Sequence, residues 1–326
     1  MGRLVATLGL VACLAASASA AAAGGKPQVR FPRDHFGHPA ASIEWWYFTA
    51  LVRDASGVRY SVFFTLFSSN GALVPVAEAR NLETGKVVGH SERLAAGRIG
   101  VSSLDWRAAG SRLRYEPASN TWLFAVSGPG LQVSLSQVPE KPYALHGGGT
   151  GVIRQSLAGV SHYYSATRMR ATGTLRVAGK RLAIRGESWF DHQWGDYRND
   201  PRAFNWDWFS CRFDDRSELM LYQFLDRKTG RPLAGLANGT FVRPDGRTVL
   251  IGSFEATHGT RVLTAAGHTW PLDWRLRVPG LKLSESVRAL LPDQLVRNTI
   301  VPTFWEGVAR ATGTHTGLCF VELSYR

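Results

Sequence analysis

The stretch Ile43-Glu44-Trp45-Trp46-Tyr47-Phe48-Thr49-Ala50-Leu51-Val52-Arg53 decides the fold class. Aromatic and β-branched residues fill it, no Gly or Pro interrupts it, and Asp54-Ala55-Ser56-Gly57 turns the chain at its end. Residues 58–68 return with the same character, so the two runs read as a β-hairpin. Strand-like runs follow at residues 74–82, 86–94, 113–115, 121–126 and 131–136, separated by turn signals at Gly85, Asn120 and Gly128-Pro129-Gly130. Residues 139–151, with Gly147-Gly148-Gly149, read as an exposed loop and lack the GxGxxG spacing of a phosphate cradle. A second series occupies 162–177, 181–189, 204–213, 218–226, 239–243, 248–255, 274–278, 305–311 and 318–325. Only residues 284–297 have a brief helical reading, and Pro292 interrupts it. Short strands at this spacing predict an all-β chain of barrels or sandwiches rather than a parallel α/β sheet. The polar, turn-rich seam at residues 197–202 divides the series into two β-domains, 31–198 and 199–326.

Composition agrees. The 326 residues are 44% hydrophobic and 19% charged, with 16 Phe and 11 Trp, which excludes a disordered chain or a coiled coil. The net charge of +13 comes from arginines scattered singly, among them Arg53, Arg59, Arg80, Arg112, Arg181 and Arg275. No basic run or nucleic-acid module accompanies them, so no nucleic-acid partner is expected; a solvated face or an anionic membrane surface suits the charge better. Met1-Gly2-Arg3, an apolar run to Ala16 and Ala18-Ser19-Ala20 read as an export signal over residues 1–20, with a linker at 21–30. The expected location is periplasmic or secreted. Leu10-Val11-Ala12-Cys13 allows the alternative of a lipidated Cys13. Cys211 and Cys319 could pair, yet neither spacing indicates it, and we expect two buried thiols.

Three clusters set acidic and imidazole groups among Trp and Tyr. They are Asp34-His35-Phe36-Gly37-His38-Pro39 with Glu44-Trp45-Trp46-Tyr47; Gly186-Glu187-Ser188-Trp189-Phe190-Asp191-His192-Gln193-Trp194-Gly195; and Asn205-Trp206-Asp207-Trp208-Phe209. An apolar wall disfavours an ionised carboxylate and keeps it protonated and able to donate. The same pattern also fits Trp-rich core with hydrogen-bonded structural carboxylates. No GxSxG elbow, hydrolytic triad or HExxH pattern is present. His35 and His38 could supply two metal ligands, with His192 or Asp191 as a third, but the spacing is loose, and neither a metal nor another cofactor is assigned.

These clusters, with Tyr163-Tyr164-Ser165-Ala166-Thr167-Arg168-Met169, Glu218-Leu219-Met220-Leu221-Tyr222, Phe304-Trp305-Glu306-Gly307 and Val321-Glu322-Leu323-Ser324-Tyr325, resemble the AttH/CrtC family. That family includes carotenoid 1,2-hydratases (hydroxyneurosporene synthases) and exported lipocalin-like proteins. The resemblance covers essentially the whole chain after the export segment, and departs from the family's usual ending at Leu323-Ser324-Tyr325. It implies two lipocalin-like (calycin) antiparallel β-barrel domains packed together. It also implies acid-catalysed addition of water to the terminal double bond of an acyclic carotenoid or related isoprenoid, a hydro-lyase reaction. On that reading Asp191 is the proton donor with Glu187 in reserve, and His192 or His38 orients water. Glu44, Trp45, Trp46, Tyr47, Trp189, Trp194, Trp206 and Trp208 line the substrate and stabilise the cation. The alternative is a non-catalytic carrier of a hydrophobic ligand such as a lipid or isoprenoid, working with a membrane surface or an ABC-type permease.

Overall fold

The computed structural model describes residues 26–155, 159–196, 204–259, 261–263, 267 and 269–324. The export segment, Cys13, residues 21–25 of the linker and the seam at 197–202 lie outside the described residues. The first hairpin joins β1 (Ile43–Arg53) to β2 (Arg59–Ser69). It is followed by β3 (Ala72–Asn81), β4 (Val87–Glu92), β5 (Leu104–Ala108), β6 (Ser111–Glu116), β7 (Thr121–Ser127) and β8 (Gln132–Pro139). Two long strands, β9 (Val160–Val177) and β10 (Lys180–Gly195), end the first series. The second holds β11 (Phe204–Phe213), β12 (Glu218–Asp226), β13 (Pro232–Val242), β14 (Thr248–Ile251), β15 (Glu255–His258) and β16 (Asp273–Val278), then β17 (Leu283–Ala289), β18 (Phe304–Gly313) and β19 (Gly317–Leu323). No α-helix occurs among the described residues.

The strands form two large antiparallel sheets with one winding. Along its main path the first runs β4-β3-β2-β1-β10-β9-β8-β7-β6-β5, and the second β14-β13-β12-β11-β19-β18-β17-β16-β15. In each, hairpins run outward on both sides and a single long-range pairing joins the first strand to the last. This is the all-β architecture expected from the strand pattern, in the paired lipocalin-like form that the family resemblance implied. The first sheet curls around Phe48, Phe64, Trp122, Phe124 and Phe190, with Phe64 and Phe124 stacked at 4.7 Å. The second encloses Phe209, Trp274, Trp305 and Val321. Both interiors are occupied by side chains.

Three expectations are corrected. Leu283, Glu285 and Val287 are buried in alternation along β17, which pairs on both sides with β16 and β18, so the helical reading of 284–297 fails against a period of two. Cys211 and Cys319 face each other across β11 and β19 and form a disulfide, not two thiols. Residues separated by 108 positions reveal such pairing only once the sheet is assembled. Residues 139–151 are not simply exposed: they deliver Lys141 and His146 into buried networks. Gly147 permits this turn, because its φ is +64° and a Cβ there would lie 1.9 Å from the Val152 carbonyl oxygen.

The outer faces of β1, β2, β9 and β10 pack against those of β11, β12, β18 and β19 through Tyr47, Phe63, Tyr163, Trp189, Trp208 and Phe320. At one edge Glu218 of β12 receives Lys141 Nζ and Arg168 Nε, each at 2.7 Å. At another, the Glu92 carboxylate accepts the backbone N–H groups of Thr299, Ile300 and Val301 at 2.6, 3.0 and 2.9 Å.

Candidate active site between the two sheets

Successive side chains of a strand point to opposite faces, and this sorts the sequence candidates. On β10, Trp189 and Asp191 face the second sheet, whereas Phe190, His192 and Trp194 face the interior of the first. On β1, Trp45 and Tyr47 pack on the outer face and Trp46 on the inner. Trp206 and Trp208 approach from the second sheet. Asp191 and His192 therefore belong to different environments, as do Trp189 and Trp194. The expected grouping of these residues around one substrate is corrected accordingly.

Asp191 is 3% exposed and lies opposite Tyr47 in the β1–β10 ladder. Its carboxyl accepts from Trp189 Nε1 at 2.7 Å, from Tyr163 Oη at 2.9 Å and from Ser165 Oγ. Burial raises its pKa to about 7 against those three hydrogen bonds. Behind Ser165, His146 places Nε2 at 2.7 Å from Ser165 Oγ and Nδ1 at 2.8 Å from Thr240 Oγ1 of β13. Burial pushes His146 down to about 3, so it is neutral and can donate to one hydroxyl while accepting from the other. Ser165 already donates to a carboxyl, which leaves no nucleophile–base pair here. Trp208 Nε1 donates to Tyr163 Oη at 3.2 Å and completes the link to β11.

Two further acids complete the site; both lie in motifs that carry the family resemblance, but neither was assigned a role from the sequence. Glu306 on β18 and Glu322 on β19 are direct register partners. Tyr47 Oη donates to Glu306 Oε1 at 2.8 Å, and Trp206 Nε1 to Glu322 Oε1 at 2.6 Å. Among the described residues no donor reaches Glu306 Oε2, which is buried. Burial and the nearby Glu322 carboxylate push Glu306 well above the usual range; burial raises Glu322 to about 6. One proton held by the pair relieves both problems, as in carboxyl dyads generally. A cavity of about 10 Å³, the size of a single water, adjoins Glu306 and is also lined by Ser61, Phe63, Glu78, Arg80, Val296 and Phe320. A lone Glu amid apolar residues on both faces, as in Phe304-Trp305-Glu306-Gly307-Val308 and Phe320-Val321-Glu322-Leu323, was the available sequence signal.

Glu187, the reserve donor, is excluded from this cluster. Its side chain is 43% exposed, accepts two hydrogen bonds from Arg168 Nη1 at 2.9 and 3.0 Å, and lies 3.7 Å from Arg212 Nε. It is an ion-pair partner at the edge of the interface. His192, Glu44 and His38 meet on the inner face of the first sheet, with Trp46 stacked on His192 and Trp194 on His38.

Comparison with known proteins agrees with this architecture. A family model described as AttH-like matches residues 22–325. The chain belongs to the AttH-like family. It is 24% identical over 173 residues to the kievitone hydratase of Fusarium solani subsp. phaseoli, a match covering 51% of this chain and 48% of that protein. The chain thus spans about half the length of that curated relative. A crystal structure described as an AttH from Nitrosomonas europaea superimposes with a TM-score of 0.83 at 22% identity, covering 92% of this chain and 97% of the other. Kievitone hydratase from Nectria haematococca gives a TM-score of 0.76 at 19% identity, covering 91% and 93%. At these identities the two structures show a shared fold. Within this AttH-like chain the interface is the surface where the first–last strand pairs of both sheets meet.

The raised acids link stability to pH. Glu322 and Glu306 bind protons more tightly folded than unfolded, so their contribution is fully present below the ordinary Glu range and is lost as pH rises through the folded values. Moving Glu322 from 4.5 to about 6 corresponds to about 2 kcal/mol. Urea unfolding followed from about pH 4 to about pH 7 should show this decline in the native chain and a shallower one in Glu322→Gln. Equal slopes would refute the assignment.

Proposed function

We propose that this AttH-like chain is a hydratase-type lyase that adds water across a carbon–carbon double bond of an apolar substrate, with chemistry at the interface between the sheets. The observation that carries the reading is the trio Asp191, Glu306 and Glu322: two buried carboxyl groups and one half-buried, the two glutamates paired, among Tyr47, Phe63, Trp189 and Trp208. Protonating an unactivated alkene needs a carboxylic acid that is still protonated near neutrality. Glu306, whose carboxyl is pushed well above the usual range by burial and the Glu322 carboxylate, takes that role and delivers its proton to one alkene carbon. The π electrons of the double bond form the new C–H bond, and the adjacent carbon becomes a carbocation. Aromatic faces favour that cation in a dry setting. Water then forms the C–O bond and its surplus proton passes to a carboxylate of the trio, which restores the acid. The relationship to kievitone hydratase supports the reaction class, and an acyclic carotenoid or related isoprenoid end is the finer substrate we propose.

With about 10 Å³ beside Glu306, a substrate is admitted only by parting the aromatic contacts between the sheets. The carrier reading receives no support from the barrel interiors, because buried aromatic side chains fill them. Incubation in deuterated water with acyclic carotenoids and a bacterial lipid extract tests the proposal. A product heavier by one water, with one deuterium on carbon, is expected. Recovery of the same apolar molecule bound but unchanged would replace the lyase with a carrier.

A further inference from the structure

The inner face of the first sheet holds a second constellation that the proposed chemistry does not use. His38 reaches it from the segment preceding β1, Glu44 from β1 and His192 from β10. Their donor atoms all lie within 4.8 Å of one another. Glu44 Oε1 is 2.7 Å from His38 Nδ1 and 2.9 Å from His192 Nε2. Glu44 Oε2 accepts the His38 backbone N–H at 3.0 Å.

The far nitrogens decide what the near ones offer. His192 Nδ1 lies 3.0 Å from the Asp34 carbonyl oxygen, which can only accept, so this nitrogen carries a hydrogen. The Tyr164 hydroxyl, 3.2 Å from the same nitrogen, lies 2.7 Å from His35 Nδ1 and can pass its own hydrogen there. His38 Nε2 lies 3.2 Å from the Asp34 carboxylate, and Arg33 Nη1 is 3.5 Å away. The Asp34 carboxylate is itself held by the Arg30 N–H at 2.6 Å. With both far nitrogens directed at Asp34, the near nitrogens, His38 Nδ1 and His192 Nε2, are the ones directed at the Glu44 carboxylate. Three groups able to donate electron pairs thus converge on one point, where a divalent cation can take the place of the protons that otherwise bridge them. Imidazoles oriented by a carboxylate and a backbone carbonyl are the usual outer-shell support of a metal site.

We propose that His38, Glu44 and His192 bind one divalent first-row metal ion, and that the two-imidazole, one-carboxylate set suits zinc, with one position left for an exogenous oxygen. The side chains of His38 and Asp34 are 12% and 13% exposed, so an ion reaches the site from solvent. The ion would tie the segment preceding β1 to the first–last strand pair of the first sheet. The site is independent of the acids between the sheets, and its success or failure leaves their role untouched.

Cobalt(II) titration of chelator-treated full-length protein, read by visible ligand-field absorption, tests this. One Co²⁺ per chain, displaced by Zn²⁺, is expected. Glu44→Gln and His38→Asn should abolish the bands, Asp34→Asn should weaken binding about 10–100-fold, and His162→Asn, beyond the stacked Trp194, should leave it unchanged. His38 sits at the surface end of the cluster, so its variant keeps the test open if substitutions at buried Glu44 or His192 unfold the chain. Absence of saturable binding by the folded native protein, or an unaltered titration in folded His38→Asn, would overturn the assignment.

Discussion

Glu306→Gln should reduce hydration about 10²–10⁴-fold, the span associated with losing a general acid, without reducing stability. The amide keeps the size of the side chain and its oxygen can still accept from Tyr47, whose hydroxyl lies 2.8 Å from Glu306 Oε1. It cannot give up a proton to carbon. It also removes a carboxyl whose ionised form burial and Glu322 disfavour, so the folded state should be as stable as before or more so. Opposite signs for turnover and stability are the mark of a group kept for chemistry. Measuring turnover and urea midpoint on the same preparations distinguishes this from a structural acid, whose loss would lower both. Native-like hydration by folded Glu306→Gln would remove Glu306 from the mechanism. Asp191→Asn tests the neighbouring carboxyl in the same way, and its three donors predict a stability cost that Glu306→Gln lacks.

Glu218→Gln should cost about 3–5 kcal/mol, the range for leaving buried charges uncompensated. Glu218 is fully buried and accepts from Lys141 Nζ, Arg168 Nε and Thr167 Oγ1 at 2.7, 2.7 and 3.2 Å. Lys141 keeps backbone carbonyl partners at Arg216 and Arg243, and Arg168 keeps Glu187 and the Phe213 carbonyl. Neutralising Glu218 leaves Lys141 with backbone carbonyls alone and Arg168 sharing the exposed Glu187 carboxylate with Arg212. Because Lys141 and Arg168 come from the first series of strands and Glu218 from β12, the loss falls on the contact between the sheets. Urea unfolding should show the lower midpoint and a broader transition as the sheets cease to unfold together. A change under about 1 kcal/mol would show that the ion cluster is not what couples them.

Much of this was legible in the residues. The hairpin expected at residues 43–53 and 58–68 is the β1–β2 pair, its second arm one residue later at 59–69, and β11 and β12 have the bounds expected for 204–213 and 218–226. Asp191 was recognisable as an acid in an aromatic setting, and it is buried against Trp189 and Tyr163. What failed were statements about which candidates share a space. Glu187 and Asp191 sit on one face of β10, yet one lies at an edge beside arginines and the other in the centre. His192 is next to Asp191 in sequence and across the sheet from it in space. Glu306 and Glu322 went unselected because each is a single acid in an apolar run, and only the β18–β19 register brings their carboxyl groups together.

The division has a physical cause. Strand formation and its turns depend on neighbours a few residues apart, so composition and period-two patterning determined by themselves that the chain is all-β and built from hairpins. Residue types likewise determined that carboxyl groups would lie among aromatic rings. Which face each strand turns to its neighbour depends on the long-range pairing of first and last strands. The Cys211–Cys319 bond, the acid pair and the meeting of His38, Glu44 and His192 all depend on that same pairing. Those contacts join residues far apart in the chain, and only the tertiary structure decided them.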